Sequence, residues 1–150
     1  MVGIGYDSHR FADGRPLVLG GVEIDHPRGL AGHSDADVLT HAVIDAILGA
    51  GGGGDIGTMF PDDDEQWRGA DSIDLLRTVV GTIAGPILNV DATLICEEPR
   101  LGPYKAEMER TLADATSARV SVKATSNEGM GWIGRGEGIA CIAVASVQSE

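Results

Sequence analysis

Ser34-Asp35-Ala36-Asp37-Val38-Leu39-Thr40-His41-Ala42-Val43-Ile44-Asp45 is the stretch on which the fold turns. It reads as a helix starting at Ser34, with the Ser34 hydroxyl as cap and Asp37, three residues on, completing an imperfect capping box. Val38, Ala42, Ile44, Ile47 and Leu48 give this helix one buried side. The glycine run 51–54 ends it, because glycine continues a helix only at a cost. Upstream, Val2 to His9 reads as a first strand; Leu17-Val18-Leu19 and Val22-Glu23-Ile24, joined by Gly20-Gly21, read as a hairpin. Downstream, residues 55–70 hold glycine, proline and an acidic cluster, the composition of a long loop. A second helix is predicted from about Ser72 to Ala84, a strand from Asn89 to Cys96, and a third helix from Pro103 to about Ala115. Arg119 to Thr125 and Ile139 to Val147 are the last strands. This order predicts an α+β fold: a two-layer sandwich of helices on a mixed, mostly antiparallel sheet in a ferredoxin-like arrangement, one domain over residues 1–150.

Composition narrows the function. Eleven basic against 23 acidic residues give a net charge of −12, which argues against a nucleic-acid groove or an anionic membrane surface. A phosphate ligand stays compatible if metal ions and backbone N–H groups offset the repulsion. Cys96 and Cys141 lie in apolar runs and read as buried free thiols of a reducing compartment. With no leader-like N-terminus and no apolar run approaching membrane length, a soluble cytoplasmic protein is expected.

Asp7 and His9, two apart on a strand, point to one face. With His41 they offer one carboxylate and two imidazoles, and three protein ligands leave one tetrahedral position open, as in catalytic zinc sites. The plainer alternative is an Asp–His pair beside an unrelated helical histidine. Asp37 and Asp45, each four residues from His41, are positioned to orient its ring. His33 precedes a helix start, where it would help hold an anion or do nothing special. Asp55 and Asp62 read as acceptors for substrate hydroxyls, while Asp63, Asp64 and Glu65 read as solvated. No Gly-Lys-Ser/Thr follows the glycine run, so it is not a P-loop. Thr125, Ser126 and Glu128 suit phosphate oxygens and a hard cation, against the alternative of a glycine-rich hairpin joining the last two strands, with Arg135 and Glu137 as a surface ion pair. Trp67 and Trp132 read as packing residues, Lys123 as a snorkelling strand residue and His26 as exposed.

Taken in order, several stretches resemble the 2-C-methyl-D-erythritol 2,4-cyclodiphosphate synthase family of non-mevalonate isoprenoid biosynthesis. They are 3–9 (GIGYDSH), 32–38 (GHSDADV) with His41 and Asp45, 54–57 (GDIG), 60–62 (FPD), 122–125 (VKAT) and 134–140 (GRGEGIA). The resemblance implies a homotrimer with sheets lining its centre and active sites between subunits. It implies a phosphorus–oxygen lyase that converts 4-diphosphocytidyl-2-C-methyl-D-erythritol 2-phosphate to the cyclic diphosphate and CMP. By position, Asp7, His9 and His41 match ligands of Zn²⁺ or another divalent transition metal, and Glu128 matches a ligand of Mg²⁺ or Mn²⁺ on the diphosphate. His33 and Ser126 match transition-state stabilisers. Ser34, Asp55, Ile56, Gly57, Asp62, Thr125 and Trp132 match substrate contacts, and Arg135 matches a residue at a central cavity where some members hold an isoprenoid diphosphate. Cys96, Pro99, Arg100, Leu101 and Gly102 match the cytidine-binding segment, contributed by the neighbouring subunit. Asn127, Arg100 and Gly102 depart from the residues usual in the family.

The chemistry agrees with that resemblance. One phosphate of the substrate attacks another phosphorus of the same molecule, so no protein nucleophile is needed and positioning plus charge neutralisation carry the catalysis. Two rival readings make different demands. A metal-dependent phosphohydrolase would release a linear product, and a structural metal trimer would need a closed four-ligand site.

Overall fold

The computed structural model describes residues 1–149, and its organisation starts from strand β1, Val2–Ala12. Alternation along β1 gives it two different faces. Gly3 and Gly5 point inward and are buried, whereas Val2, Ile4 and Tyr6 point outward and are exposed. The helix α1, Val38–Gly51, lies on the inner face. A Cβ added at Gly3 would stand 2.1 Å from the Ala46 carbonyl oxygen, and one at Gly5 only 2.0 Å from that of Ala42. Glycine on the strand and alanine on the helix (Ala42, Ala46, Ala50, one per turn) thus let two backbones touch.

The remaining elements complete a mixed sheet of order β4-β1-β7-β5-β6. They are β4 (Gly29–Leu30), β5 (Ile87–Ile95), β6 (Arg119–Thr125) and β7 (Gly138–Val147). Only β5 and β6 run parallel; β1–β4, β1–β7 and β5–β7 are antiparallel, which bears out a mixed, mostly antiparallel sheet. Helices α3 (Ser72–Val80) and α4 (Lys105–Thr116) add to the layer begun by α1. The core between helices and sheet is built from Leu39, Ile44, Ile47, Leu48, Leu76, Leu94, Met108, Leu112 and Ile139, all less than 2% exposed. The other sheet face keeps Ile4, Tyr6, Ile142 and Val144 in solvent, with Ile4 opposite Val144 and Tyr6 opposite Ile142.

The hairpin β2 (Leu17–Leu19) and β3 (Val22–Ile24) forms around Gly20-Gly21 as its sequence predicts, both glycines taking positive φ. Helix α1, in contrast, begins at Val38 and not at Ser34. Asp37 is the cap: its carboxylate accepts from Thr40 N and Oγ and also from Gly20 N and Gly21 N of the hairpin turn. Four donors, two from a distant turn, outcompete the single hydroxyl of Ser34. α3 stops at Val80, short of Ala84, where Gly81 takes over as cap. The segment 55–70 is less irregular than its composition suggests, with α2 (Ile56–Met59) capped by Asp55 and a 3₁₀ turn at Glu65–Trp67 capped by Asp64. The third helix opens with a 3₁₀ turn carrying Pro103 before α4. β6 and β7 are not a hairpin, because β5 lies between them; residues 126–137 cross over and include the single turn α5, Gly131–Gly134.

Candidate active site

The close approach of α1 to β1 decides what happens one residue pair further along the strand. Asp7 and His9 continue the inward face of Gly3 and Gly5, and His41 precedes the Ala42 that rests on Gly5. The three side chains converge. His9 Nε2 lies 2.9 Å from Asp7 Oδ2, His41 Nδ1 lies 3.1 Å from the same oxygen, and the two ring nitrogens are 3.4 Å apart. Zn–N and Zn–O bonds of about 2.0–2.2 Å set tetrahedral donors roughly 3.3–3.6 Å apart, so a divalent ion fits with a small outward relaxation. Among the described residues no fourth His, Cys or carboxylate joins the group.

The outer edges of both rings are held. His9 Nδ1 donates to the Ala31 carbonyl at 2.7 Å, just beyond β4, which turns Nε2 toward the centre. His41 Nε2 lies 2.8 Å from Ser72 Oγ and 3.2 Å from Ser34 Oγ, leaving Nδ1 to face Asp7. Burial alone would raise the Asp7 carboxyl, but the close approach of the His41 and His9 rings outweighs it and holds the group at about 2. Burial alone would lower His9, yet the hydrogen bond and charge of Asp7 raise it above 6.5. An anionic carboxylate facing two imidazoles attracts positive charge, whether protons or a metal ion.

This triad opens into a cavity of about 180 Å³ that Gly32, His33, Ser34, Ile56, Gly57 and Asp62 also line. His33 Nε2 donates to the Asp64 carbonyl at 2.9 Å, and the Arg15 guanidinium donates to the carbonyls of Gly32 and Ser34, both at 2.6 Å. Together they pin the loop between β4 and α1. A second cavity, about 510 Å³, is lined by Cys96, Pro99, Arg100, Leu101, Gly102, Thr125 and Ser126. Burial first, then the nearby Glu97 charge, pushes the Cys96 thiol up to about 11, so it is an inert packing group. A third, about 760 Å³, lies between Arg10, Arg28, Trp132 and Arg135 and shares His9 with the first.

Residues 1–148 match the YgbB family. The chain belongs to that family. Relatives in it include 2-C-methyl-D-erythritol 2,4-cyclodiphosphate synthases of Symbiobacterium thermophilum and Salinibacter ruber, each 54% identical, over 98% and 99% of this chain and 98% of each relative. Among solved structures, a 2C-methyl-D-erythritol-2,4-cyclodiphosphate synthase in a CDP-bound form superposes with a TM-score of 0.88 at 34% identity, covering 99% of this chain and all of that one. The bifunctional IspDF of Campylobacter jejuni gives 0.91 at 41% identity; this chain covers 41% of that longer protein and 96% of itself is matched.

Within this YgbB chain the triad predicted from spacing is assembled, and Cys96, Pro99, Arg100, Leu101 and Gly102 gather with Thr125 and Ser126 around a separate cavity. Asp55 is not among the residues lining the triad cavity and serves as cap of α2, its Oδ1 taken by Thr58 N and Oγ. Glu128 is exposed and holds a positive φ of 55° in the loop after β6. Two expectations are corrected. Neither Asp37 nor Asp45 orients His41, since Asp37 caps α1 and Asp45 accepts from Ile56 N at 2.7 Å; a hydroxyl, Ser72, does so instead. His26 is half-buried on the ring of Phe11, with Nε2 shielded from solvent and unpaired. Lys123 pairs with Asp91, and Arg135 with Glu137 at 2.7 Å. Three contributors escaped sequence reading: Arg15, Ser72 and Glu97, whose Oε1 accepts from Asn127 N at 2.8 Å and shapes the Ser126–Gly129 loop. None carries a local signal, because each acts on a segment distant in sequence.

Proposed function

We propose that this chain converts 4-diphosphocytidyl-2-C-methyl-D-erythritol 2-phosphate to 2-C-methyl-D-erythritol 2,4-cyclodiphosphate and CMP, as a phosphorus–oxygen lyase of isoprenoid precursor biosynthesis. The observation that carries the reading is the three-donor cluster of Asp7, His9 and His41 facing a cavity, with the outer nitrogen of each imidazole engaged and the other turned inward. Three donors leave room for a substrate oxygen, which disfavours a closed structural site. In the reaction an oxygen of the 2-phosphate bonds to the β-phosphorus while the bond from that phosphorus to the CMP oxygen breaks. Divalent ions, Zn²⁺ or a similar transition metal at the triad and Mg²⁺ or Mn²⁺ at Glu128, supply charge neutralisation of the diphosphate when bound. The protein's residues do the rest. Ile56, Gly57, Asp55 and Asp62 hold the sugar alcohol; His33 and Ser34 hold its phosphate end. Thr125, Ser126 and Trp132 hold and orient the diphosphate, with Ser126 and His33 favouring the transition state. Cys96, Pro99, Arg100, Leu101 and Gly102 seat the cytosine.

The first two cavities are separate within one subunit, and we read the cytidine segment as serving a neighbour's triad in a homotrimer. The exposed outer sheet face supports that reading: Val2 and Ile4 are each 71% exposed and Tyr6 55%, beside Ile142 and Val144. A second and third copy of this sheet are its natural cover, which gives a ferredoxin-like domain, residues 1–150, with its sheet at the trimer's centre. Arg135, with Arg10 and Arg28, would then face the central cavity, a place for an isoprenoid diphosphate. Among the described residues no helix is long and apolar enough to cross a membrane, and we place the enzyme in the cytoplasm.

Phosphorus NMR of the product tests the assignment. Incubation of the zinc- and magnesium-loaded protein with the substrate should give a cyclic diphosphate with CMP as the sole phosphomonoester product. A linear product would establish the phosphohydrolase instead.

A further inference from the structure

We infer that Asp35 and Ser72 are positioning residues for His41, fixing which of its nitrogens carries the proton so that Nδ1 stays free for a metal ion. The inference rests on the metal reading of the triad given above. A serine hydroxyl has one hydrogen to give. Ser72 gives it to the Asp35 carboxylate, which also accepts from Ser72 N at 2.9 Å and Asp37 N at 3.2 Å. With its hydrogen committed, the Ser72 oxygen offers only lone pairs to His41 Nε2 at 2.8 Å. The proton between them therefore sits on Nε2, and Nδ1 is bare.

That choice is not trivial, because Asp7 Oδ2 stands 3.1 Å from Nδ1 and would draw the proton there. An Nδ1–H donated to Asp7 would close the metal position at two of its three donors. The chain Asp35–Ser72–His41 opposes this from the opposite edge of the ring. It is buried where it matters: Ser72 is fully shielded and His41 is 9% exposed. Helix capping does not account for it. α3 is already capped by Asp71, whose carboxylate accepts from Ile73 N at 2.8 Å. Ser34 Oγ is a weaker acceptor for the same nitrogen at 3.2 Å.

The test compares wild type with Ser72→Ala, Ser72→Thr and Asp35→Asn. Metal-stripped proteins are titrated with Zn²⁺ against a chromophoric chelator, and the His41 ring nitrogens are read by ¹⁵N NMR in the metal-free proteins at alkaline pH. Ser72→Ala should weaken zinc roughly ten- to hundredfold, the usual loss when the outer partner of a metal-bound histidine is removed. It should also move the metal-free ring from Nε2–H toward Nδ1–H. Asp35→Asn, which keeps volume but removes the charge, should shift both readouts the same way, and Ser72→Thr, which keeps the hydroxyl, should restore them. Ser72→Ala leaving either readout unmoved would overturn the inference, even if its thermal midpoint falls. A wild type that takes up no zinc would refute the metal reading, while the nitrogen shifts would still decide the proton's place.

Discussion

Asp7 and His9 hold each other in charged form, with consequences for stability of opposite sign. The Asp7 carboxyl, lowered from 3.8 to about 2, contributes stability that is complete above 3.8 and is lost as the pH falls toward 2. His9, raised above 6.5, contributes stability that is complete below 6.5 and is lost as the pH climbs through its raised value. The metal-free protein should therefore have its highest thermal midpoint between about pH 4 and 6.5 on account of this pair. Saturating zinc should remove the decline on the alkaline side, since the ion takes the proton's place; scanning calorimetry across pH with and without zinc reads both limbs. Ser126 makes a separate demand. Its hydroxyl lines the second cavity and accepts from Glu128 N at 3.2 Å, so Ser126→Ala should cut kcat by about a hundredfold with KM changed severalfold at most. Equal losses in kcat and affinity would make Ser126 a binding group only. Of these residues, Asp7, His9 and His41 were legible because their side chains are ligand types at a period-two and helical spacing. Ser72 was not: a serine opening a helix is ordinary, and its meaning comes from Asp35, 37 residues away.

At the scale of elements, the depth at which α1 sits on β1 sets the triad's dimensions. Gly5→Ala would place a methyl 2.0 Å from the Ala42 carbonyl oxygen, and the helix must move outward. We expect a loss of about 3 kcal/mol in stability by chemical denaturation, from overpacking against backbone that cannot rotate away. Bound zinc should fall with it, because His41 adjoins the displaced Ala42; zinc content measured on the folded variant separates the two effects. The helix itself was legible from its apolar spacing and glycine stop. Its starting residue was not, since the cap depends on Gly20 and Gly21 of a hairpin elsewhere in the chain. Hydrophobic pattern reveals that a helix exists, while tertiary hydrogen bonds settle where it begins.

For the whole molecule, the outer sheet face and the divided cavities belong to one problem. Substituting Ile4 by Asp would put a charge at the middle of the apolar face, beside Val144, without touching the helix layer. If the proposed trimer holds, the expected outcome is a monomer by light scattering, folded by circular dichroism, with zinc uptake kept and turnover reduced at least a hundredfold, because the proposed cytidine segment would no longer meet a neighbour's triad. A variant that stays trimeric or stays active would count against the shared-site arrangement. The ordered motifs announced the family. The strand order did not follow from them, because β7 inserts between β1 and β5 through pairings that span nearly the full chain.

Strand β1 reads like a number line on which parity carries meaning. Odd positions (3, 5, 7, 9) give the helix its seat and bring a carboxylate and an imidazole to its inner face; even positions (2, 4, 6) look out to solvent. Deleting one residue between Gly5 and Asp7 would swap odd for even beyond the gap, turning the aspartate and histidine toward the outer face. Such a frameshift of geometry would scatter the Asp7–His9–His41 cluster and break up the outer apolar face together, from the loss of one amino acid.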